Sequence, residues 1–296
     1  MTHRRAIWTM VAAAMLWSIA GVVTRQVEHA RGFELNVWRS GFNALALVLL
    51  LGWLRGPAAL ASQLRAADRR IWLSGACWGV MFTGFMVALT LTTVANVLVT
   101  LAIAPLATAL VARAALGHRL APRTWAAIAL AGAGIGWMYG SQLSTADAGH
   151  WLGTAVALTV PLAAAVNWTL LQRARGPAGG DFMPAVLIGA VLSTLLTLPL
   201  ALPLAGSGRD IAWLALLGVA QLAVPCLMAV RAARVLSAPE VALLGLLEVI
   251  FGVAWAWVGA GETPTPAVLG GGLLVLAALA GHELLALSRR PVPIGR

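Results

Sequence analysis

The chain has 296 residues, 60% of them hydrophobic and only 10% charged. A water-soluble domain carries about 25% charge, so this chain lacks the polar surface to cover itself, and composition points to an integral membrane protein. The net charge of +10 comes from twenty arginines and no lysine. They fall almost entirely between apolar runs, so they speak for membrane topology and against a nucleic-acid partner.

A bilayer core is crossed by about 20 apolar residues in a helix. Ten runs qualify: roughly 6–24, 35–54, 71–91, 94–115, 122–140, 152–172, 182–204, 211–230, 238–258 and 266–287. The gaps between them are short and could hold no soluble domain. Lipid offers backbone groups no partner, so each run is expected to be helical. No run shows the alternation of a β-barrel strand. The expected fold class is an all-α polytopic membrane protein of ten transmembrane helices.

The first run follows Arg4-Arg5 and resembles a signal peptide, but the nine spans after it favour a retained first helix over 6–24, with Trp17-Ser18 late in it. In the second run Arg39 stands one turn before Asn43 on the same face. Near the outer interface, Arg39 is expected to be structural, snorkelling to the headgroups or tied to a neighbouring helix. Trp78 lies deep in the third run, with Gly79 and Gly84 in the same region. Thr100 and Pro105 lie in the fourth, and Gly132, Gly136 and Gly140 form a small-residue series in the fifth that favours close helix packing.

Pro161, Asn167 and Trp168 fall in the sixth run, Pro199 in the seventh, Gln221 and Pro225 in the eighth. Each proline removes a backbone hydrogen bond and permits a kink, so Pro105, Pro161 and Pro225, with Gly79 and Gly84, are candidate hinges. Thr100, Asn167 and Gln221 suit either ligand contact or helix-to-helix hydrogen bonding. Glu248 sits mid-span in the ninth run, where a charge is costly and faces a cavity or a partner. Two readings of it stay open: recognition of a substrate amine or a proton, or a protonated carboxyl bonded to a neighbouring helix. The tenth run carries Gly270-Gly271-Gly272, suited to packing on the fifth run or to a dimer surface, and His282-Glu283, expected at the headgroups.

Most of the thirteen tryptophans lie near span ends, as an interfacial belt does. Trp17, Trp78 and Trp168 lie deeper, where indoles either line a cavity for apolar or aromatic cargo or simply pack a core. Cys77 and Cys226 lie inside apolar runs and read as inert thiols. No metalloprotease, Walker or nucleophile-elbow motif is present. Neither a cofactor nor a metal is expected, and transport without an ATP site must run on a gradient.

Residues 94–140 recur in altered form as 238–284. At an offset of 144 residues, Gly117 falls on Gly261, Pro122 on Pro266, Ala88 on Ala232 and Thr93 on Ser237. Two halves follow, 1–140 and 141–296, each of five helices. An odd number per half makes the copies cross in opposite senses, the inverted repeat of many secondary transporters. With the N-terminus in the cytoplasm, only Arg25, Arg31 and Arg209 fall on the far side, so the arginine distribution puts both termini inside.

Trp17-Ser18, Arg39, Ala104-Pro105-Leu106 with Leu116-Gly117, and Leu247-Glu248 with Gly261-Glu262 together resemble the drug/metabolite transporter superfamily. The resemblance is to its ten-helix EamA-type exporters and covers nearly the whole chain. It implies a cavity between helices one, three, four, six, eight and nine, with an amino acid or related metabolite as cargo. The tryptophan-rich interior is similar to the aromatic amino acid exporters of that superfamily. Two positions depart from its pattern: His118 stands where glutamate usually follows Gly117, and Val249 where proline often follows the glutamate.

The expected function is therefore a bacterial inner-membrane exporter of amino acids. Its cargo would contact Trp17, Trp78, Thr100, Asn167, Trp168, Gln221 and Glu248. Its partners would be a small-molecule substrate and the lipid bilayer, in a monomer or a homodimer. The rivals are a carrier of drugs, nucleotide-sugars or lipids, and an intramembrane enzyme, which would need clustered acidic or histidine residues near one membrane surface.

Overall fold

The structure is a computed structural model, described here for residues 1–92, 94–117, 121–140, 148–175, 180–260 and 265–288. The paired loops at Gly117-His118 and Gly261-Glu262, with Arg119 and the C-terminal arginines, therefore fall partly or wholly outside the described residues. Every regular element among the described residues is helical. Among the described residues, seven helical stretches are long and apolar enough to cross a membrane: His3–Thr24, Phe33–Arg55, Arg69–Leu91, Trp151–Arg173, Met183–Ala201, Gly208–Ala233 and Ala238–Trp255. Ala104–Leu116 is apolar but shorter.

Several of the apolar runs are not continuous helices. The first is α1 (His3–Trp17) and α2 (Ala20–Thr24). At the junction the Ser18 hydroxyl donates to the Met15 carbonyl at 2.6 Å, satisfying the backbone locally where the helix stops. After α3 (Phe33–Arg55), the short α4 (Pro57–Arg65) and α5 (Arg69–Leu91), the fourth run splits into α6 (Val94–Leu101) and α7 (Ala104–Leu116). Pro105 stands in the first turn of α7, where its missing N–H costs nothing. Gly117 closes α7 at φ 66°, the left-handed cap that glycine adopts without strain.

Then come α8 (Pro122–Tyr139), α9 (Ala148–Arg173) and α10 (Met183–Ala201). The eighth run is α11 (Gly208–Leu216), a π-helical turn (Leu217–Ala223) and α12 (Val224–Ala233), with Pro225 just beyond the turn. The ninth breaks at Leu246 between α13 (Ala238–Gly245) and α14 (Leu247–Ala260), and α15 (Pro266–Ser288) ends the described chain.

Close backbone approach holds the bundle together. The α5–α10 crossing is built on glycine: a Cβ on Gly189 would lie 2.8 Å from the Gly75 carbonyl oxygen and 2.9 Å from the Gly79 nitrogen. On the other side of α5, a Cβ on Gly84 would meet the Thr159 hydroxyl of α9 at 2.8 Å. Gly79 and Gly84 thus sit at tight helix crossings. A polar seam runs between α3, α5 and α10. Asn36 Nδ2 donates to Ser193 Oγ (2.9 Å) and Thr197 Oγ1 (3.1 Å), and Ser193 also pairs with Ser40 (3.1 Å) and Thr83 (2.8 Å). Such bonds join helices where the surroundings are as apolar as the side chains.

The fifth and tenth runs pack on one another as α8 and α15. His282, expected at the headgroups, is instead buried at that contact, its Nε2 at 3.3 Å from Thr124 Oγ1 of α8. One hydrogen-bond partner makes burial of the imidazole tolerable. The closest point is Gly134 on Gly271, where a Cβ on Gly271 would stand 2.9 Å from the Met138 nitrogen. Gly271→Val should therefore push the helices apart and cost about 1–3 kcal/mol. A fall of several degrees in the melting temperature of detergent-solubilised protein would register it. Gly136→Ala, whose Cβ meets nothing within 4 Å, should leave that temperature unchanged.

Candidate functional site

The helix interruptions surround a cavity of about 160 Å³. Its wall is mostly apolar and aromatic. Trp78 and Phe82 come from α5 and Trp168 from α9. The two indoles meet edge to face, with centroids 5.4 Å apart and planes at 87°, and Phe82 lies 5.5 Å from Trp78. This geometry is favourable for aromatic pairs and fixes the wall. Trp17 enters from the last residue of α1, Leu98 and Leu101 from α6, and Val241 and Leu246 from the two sides of the ninth-run break.

Two charged side chains face the same space. Glu248 comes from the first turn of α14. It makes no hydrogen bond and no ion pair among the described residues. Arg39 comes from α3, the second run, which the resemblance did not place in the cavity. It is 2% exposed and does not snorkel. Its Nη2 donates to the Phe82 carbonyl at 3.0 Å, and the guanidinium lies 5.9 Å from the Phe85 ring centroid. Arg39 thus ties α3 to α5 and lines the cavity as well. Arg39 and Glu248 act on each other electrostatically without touching.

Of the expected contact residues, Trp17, Trp78, Trp168, Gln221 and Glu248 line the cavity. Thr100 and Asn167 are buried but do not. Asn167 accepts a hydrogen bond from the Ser74 hydroxyl at 2.6 Å and joins α9 to α5. Among the candidate hinges Pro161 lines the cavity, while Pro105 and Pro225 are buried beside the fourth-run break and the π turn.

Gln221 sits within the π turn and its Nε2 donates to the Trp17 carbonyl at 3.3 Å, where α1 ends. Trp255 of α14, expected in the interfacial belt, donates its indole N–H to Ser18 Oγ at 3.0 Å. The break after Trp17 is therefore held from two neighbouring helices. Sequence reasoning missed Phe82 and Phe85 as wall residues. The available signal was their i, i+3 spacing on the face of Trp78.

Buried carboxylates tie loops together at one end of the bundle. Asp210, 1% exposed and in the first turn of α11, accepts from the backbone N–H groups of Glu28 (2.9 Å), His29 (3.0 Å) and Ala30 (3.2 Å) in the α2–α3 loop. Reciprocally, Glu34 of α3 accepts from Ala205 (3.1 Å) and Gly206 (2.8 Å) in the α10–α11 loop. At the opposite end Asp181 pairs with Arg55 and with Arg234 (2.9 Å), and His3 lies 3.9 Å from Glu240. There Arg175 also donates to the Ala233 carbonyl from Nε (3.1 Å) and Nη2 (2.9 Å), and Gln172 Oε1 accepts from the Ala238 N–H (2.6 Å).

Residues 4–140 match the model of the EamA-like transporter family. No curated protein matches the chain. A solved crystal structure is similar in fold, with a TM-score of 0.78 and 21% identity over 97% of this chain and 99% of its own.

Asp210→Ala would leave three loop N–H groups without their acceptor. Hydrogen exchange at residues 28–30 should accelerate at least about tenfold, because local opening no longer breaks charge-assisted bonds. Exchange in α8 and α15 should stay as it was; mass-spectrometric exchange on the purified protein reads both.

Proposed function

We propose that the chain, whose first half is EamA-like, is a secondary transporter of the drug/metabolite class that exports amino acids, aromatic and apolar ones among them, across the bacterial inner membrane. The observation that carries this reading is the cavity: apolar and aromatic in its walls, and faced by Arg39 and Glu248, which form no ion pair with each other. Aromatic area suits an apolar side chain. One arginine balanced by one glutamate weighs against phosphorylated cargo.

In this reading the helical segments make ten spans in two inverted five-span repeats, residues 1–140 and 141–296. The interruptions support the pairing. The fourth run opens at Ala102-Ile103 and the ninth at Leu246, and 102 plus the sequence offset of 144 is 246. Broken helices at a central site are a device of inverted-repeat transporters, because irregular backbone is tolerated at membrane depth only where protein or a cavity receives it. Alternating access would rock the repeats about the cavity. Flexing at Pro105, Pro161 and Pro225 and sliding at Gly79 and Gly84 would let one end close as the other opens. The arginine distribution supports cytoplasmic termini, which puts the Asp210 and Glu34 ties on the outer side.

Proteoliposomes holding only this protein should take up labelled phenylalanine and leucine saturably. Uptake without an imposed pH gradient would mark uniport, and uptake only with one would mark proton coupling. Glu248→Gln should lower the initial rate at least about tenfold with an unchanged melting temperature, since it removes a charge facing the cavity and no hydrogen bond of the fold. Wild-type flux in that variant would remove Glu248 from the mechanism, and no uptake of any amino acid would overturn the cargo.

A further inference from the structure

The cavity wall contains polar atoms that the fold does not use. Arg39 spends Nη2 on the Phe82 carbonyl, but its Nε, though buried, has no partner. The Trp78 indole N–H, also buried, has none either. Gln221 spends its Nε2 on the Trp17 carbonyl and leaves Oε1 buried without a donor. The Glu248 carboxylate has no hydrogen bond among the described residues. A buried polar group left unpaired is a standing cost that native folds rarely carry. Three of them belong to residues lining one small cavity, which the Glu248 carboxylate also faces.

They also sort by chemistry. Arg39 Nε and Trp78 Nε1 can only donate, and Gln221 Oε1 and the Glu248 carboxylate accept. The donors are cationic or neutral, the acceptors anionic or neutral. The set is complementary to a ligand that carries a carboxylate and an ammonium together.

We propose that the cavity recognises the zwitterionic head of its ligand, with Arg39 and Trp78 holding the carboxylate and Gln221 with Glu248 holding the ammonium. This rests on the reading of the chain as an amino acid transporter and adds which groups of the cargo are read and by which residues. Arg39 then has two functions, a helix tie through Nη2 and a ligand contact through Nε. The unmet atoms of Arg39, Trp78 and Gln221 are buried, so these side chains turn to engage the ligand, and the new hydrogen bonds drive that movement. The net-neutral wall discriminates against ions: an amine without a carboxylate leaves Arg39 unpaired, and an acid without an amine leaves Glu248 unpaired. Aromatic rings around the pair receive the apolar side chain. Specificity of this kind comes from the unpaired group that the wrong ligand leaves behind.

Binding, measured apart from transport, tests the assignment. Phenylalanine, phenethylamine and 3-phenylpropionate share a ring and differ in the two charged groups. Titration calorimetry on the full-length protein in detergent should show phenylalanine binding at least tenfold more tightly than either analogue. Arg39→Lys, which keeps the charge and loses the fork, should weaken phenylalanine and 3-phenylpropionate while leaving phenethylamine unchanged. Glu248→Gln should weaken phenylalanine and phenethylamine while leaving 3-phenylpropionate unchanged. A merely structural role for either residue would lower affinity for all three ligands alike, and that result overturns the proposal, as does equal binding of phenethylamine and phenylalanine by the wild type. Discriminating binding without vesicle uptake would sink the transport reading and leave the recognition intact; uptake with undiscriminating binding would do the reverse.

Discussion

The structure depends first on a shortage of hydrogen-bond partners. In a bilayer, a helix that stops must have its freed N–H and C=O groups received by protein, because lipid receives none. This chain stops or distorts its helices after Trp17, between Leu101 and Ala104, through Leu217–Ala223 and at Leu246. All four places border the same cavity. Gln221 serves the carbonyl at the first interruption from within the third, and Trp255, from the helix that follows the fourth, binds Ser18 beside it. The irregular segments thus support one another. Losing one partner would expose backbone in a neighbouring helix, which couples the four positions more tightly than apolar contact would.

The same shortage governs the two cavity charges. A buried charge is tolerated when something nearby offsets its lost hydration. Arg39 has the Phe82 carbonyl, the face of Phe85 and the field of Glu248. Glu248 has the field of Arg39 and access to the cavity. A direct ion pair would satisfy both, and would also fill the polar part of the site. Held apart, both charges stay facing the cavity, at a cost the rest of the bundle must carry. The glycine crossings of α5 on α9 and α10, and the Asn36–Ser193 seam, supply rigid packing that keeps α3 and α5 from moving to close the gap.

Much of this was legible in the sequence, in particular ways. Apolar run length located the helices, since nothing else satisfies a backbone in lipid. Glu248 and Arg39 stood out because charge inside an apolar run is rare, and the three deep tryptophans because the others sit at run ends. Less legible were the interruptions. Pro105 and Pro225 flag two of them, but the stop at Ser18 depends on a hydroxyl turning back to Met15, and the break at Leu246 has no proline at all. Arg39 was placed near a headgroup because run position alone measures depth. Its burial is set by Phe82 and Phe85, more than forty positions away in the chain, and pairwise geometry of that range has no local signature. Asn167 and Thr100 carried the same polar signal as Gln221. Only packing separates a side chain that joins two helices from one that faces a cavity.

The loop ties show the same limit, and they make the two ends of the bundle chemically unlike. Asp210 and Glu34 are acids at helix starts, where a carboxylate caps its own helix by default. Asp210 does cap its own helix, accepting from the Ser207 N–H, but each of the two also reaches a loop far away in sequence and holds it by backbone N–H groups. Such bonds constrain the chain itself, and the carboxylates that make them are almost wholly buried. At the other end Asp181 joins Arg55 and Arg234 through side chains that remain partly exposed, and exposed pairs are worth about 0–1 kcal/mol and are screened by salt. Separating the helices at the Asp181 end breaks these pairs together with the Arg175 bonds to the Ala233 carbonyl and the Ala238 N–H bond to Gln172. Separating them at the Asp210 end breaks charge-assisted bonds that water must replace one by one. The two ends thus share bonds to backbone groups and differ in what makes them: buried carboxylates at Asp210 and Glu34, a guanidinium and an amide at Arg175 and Gln172.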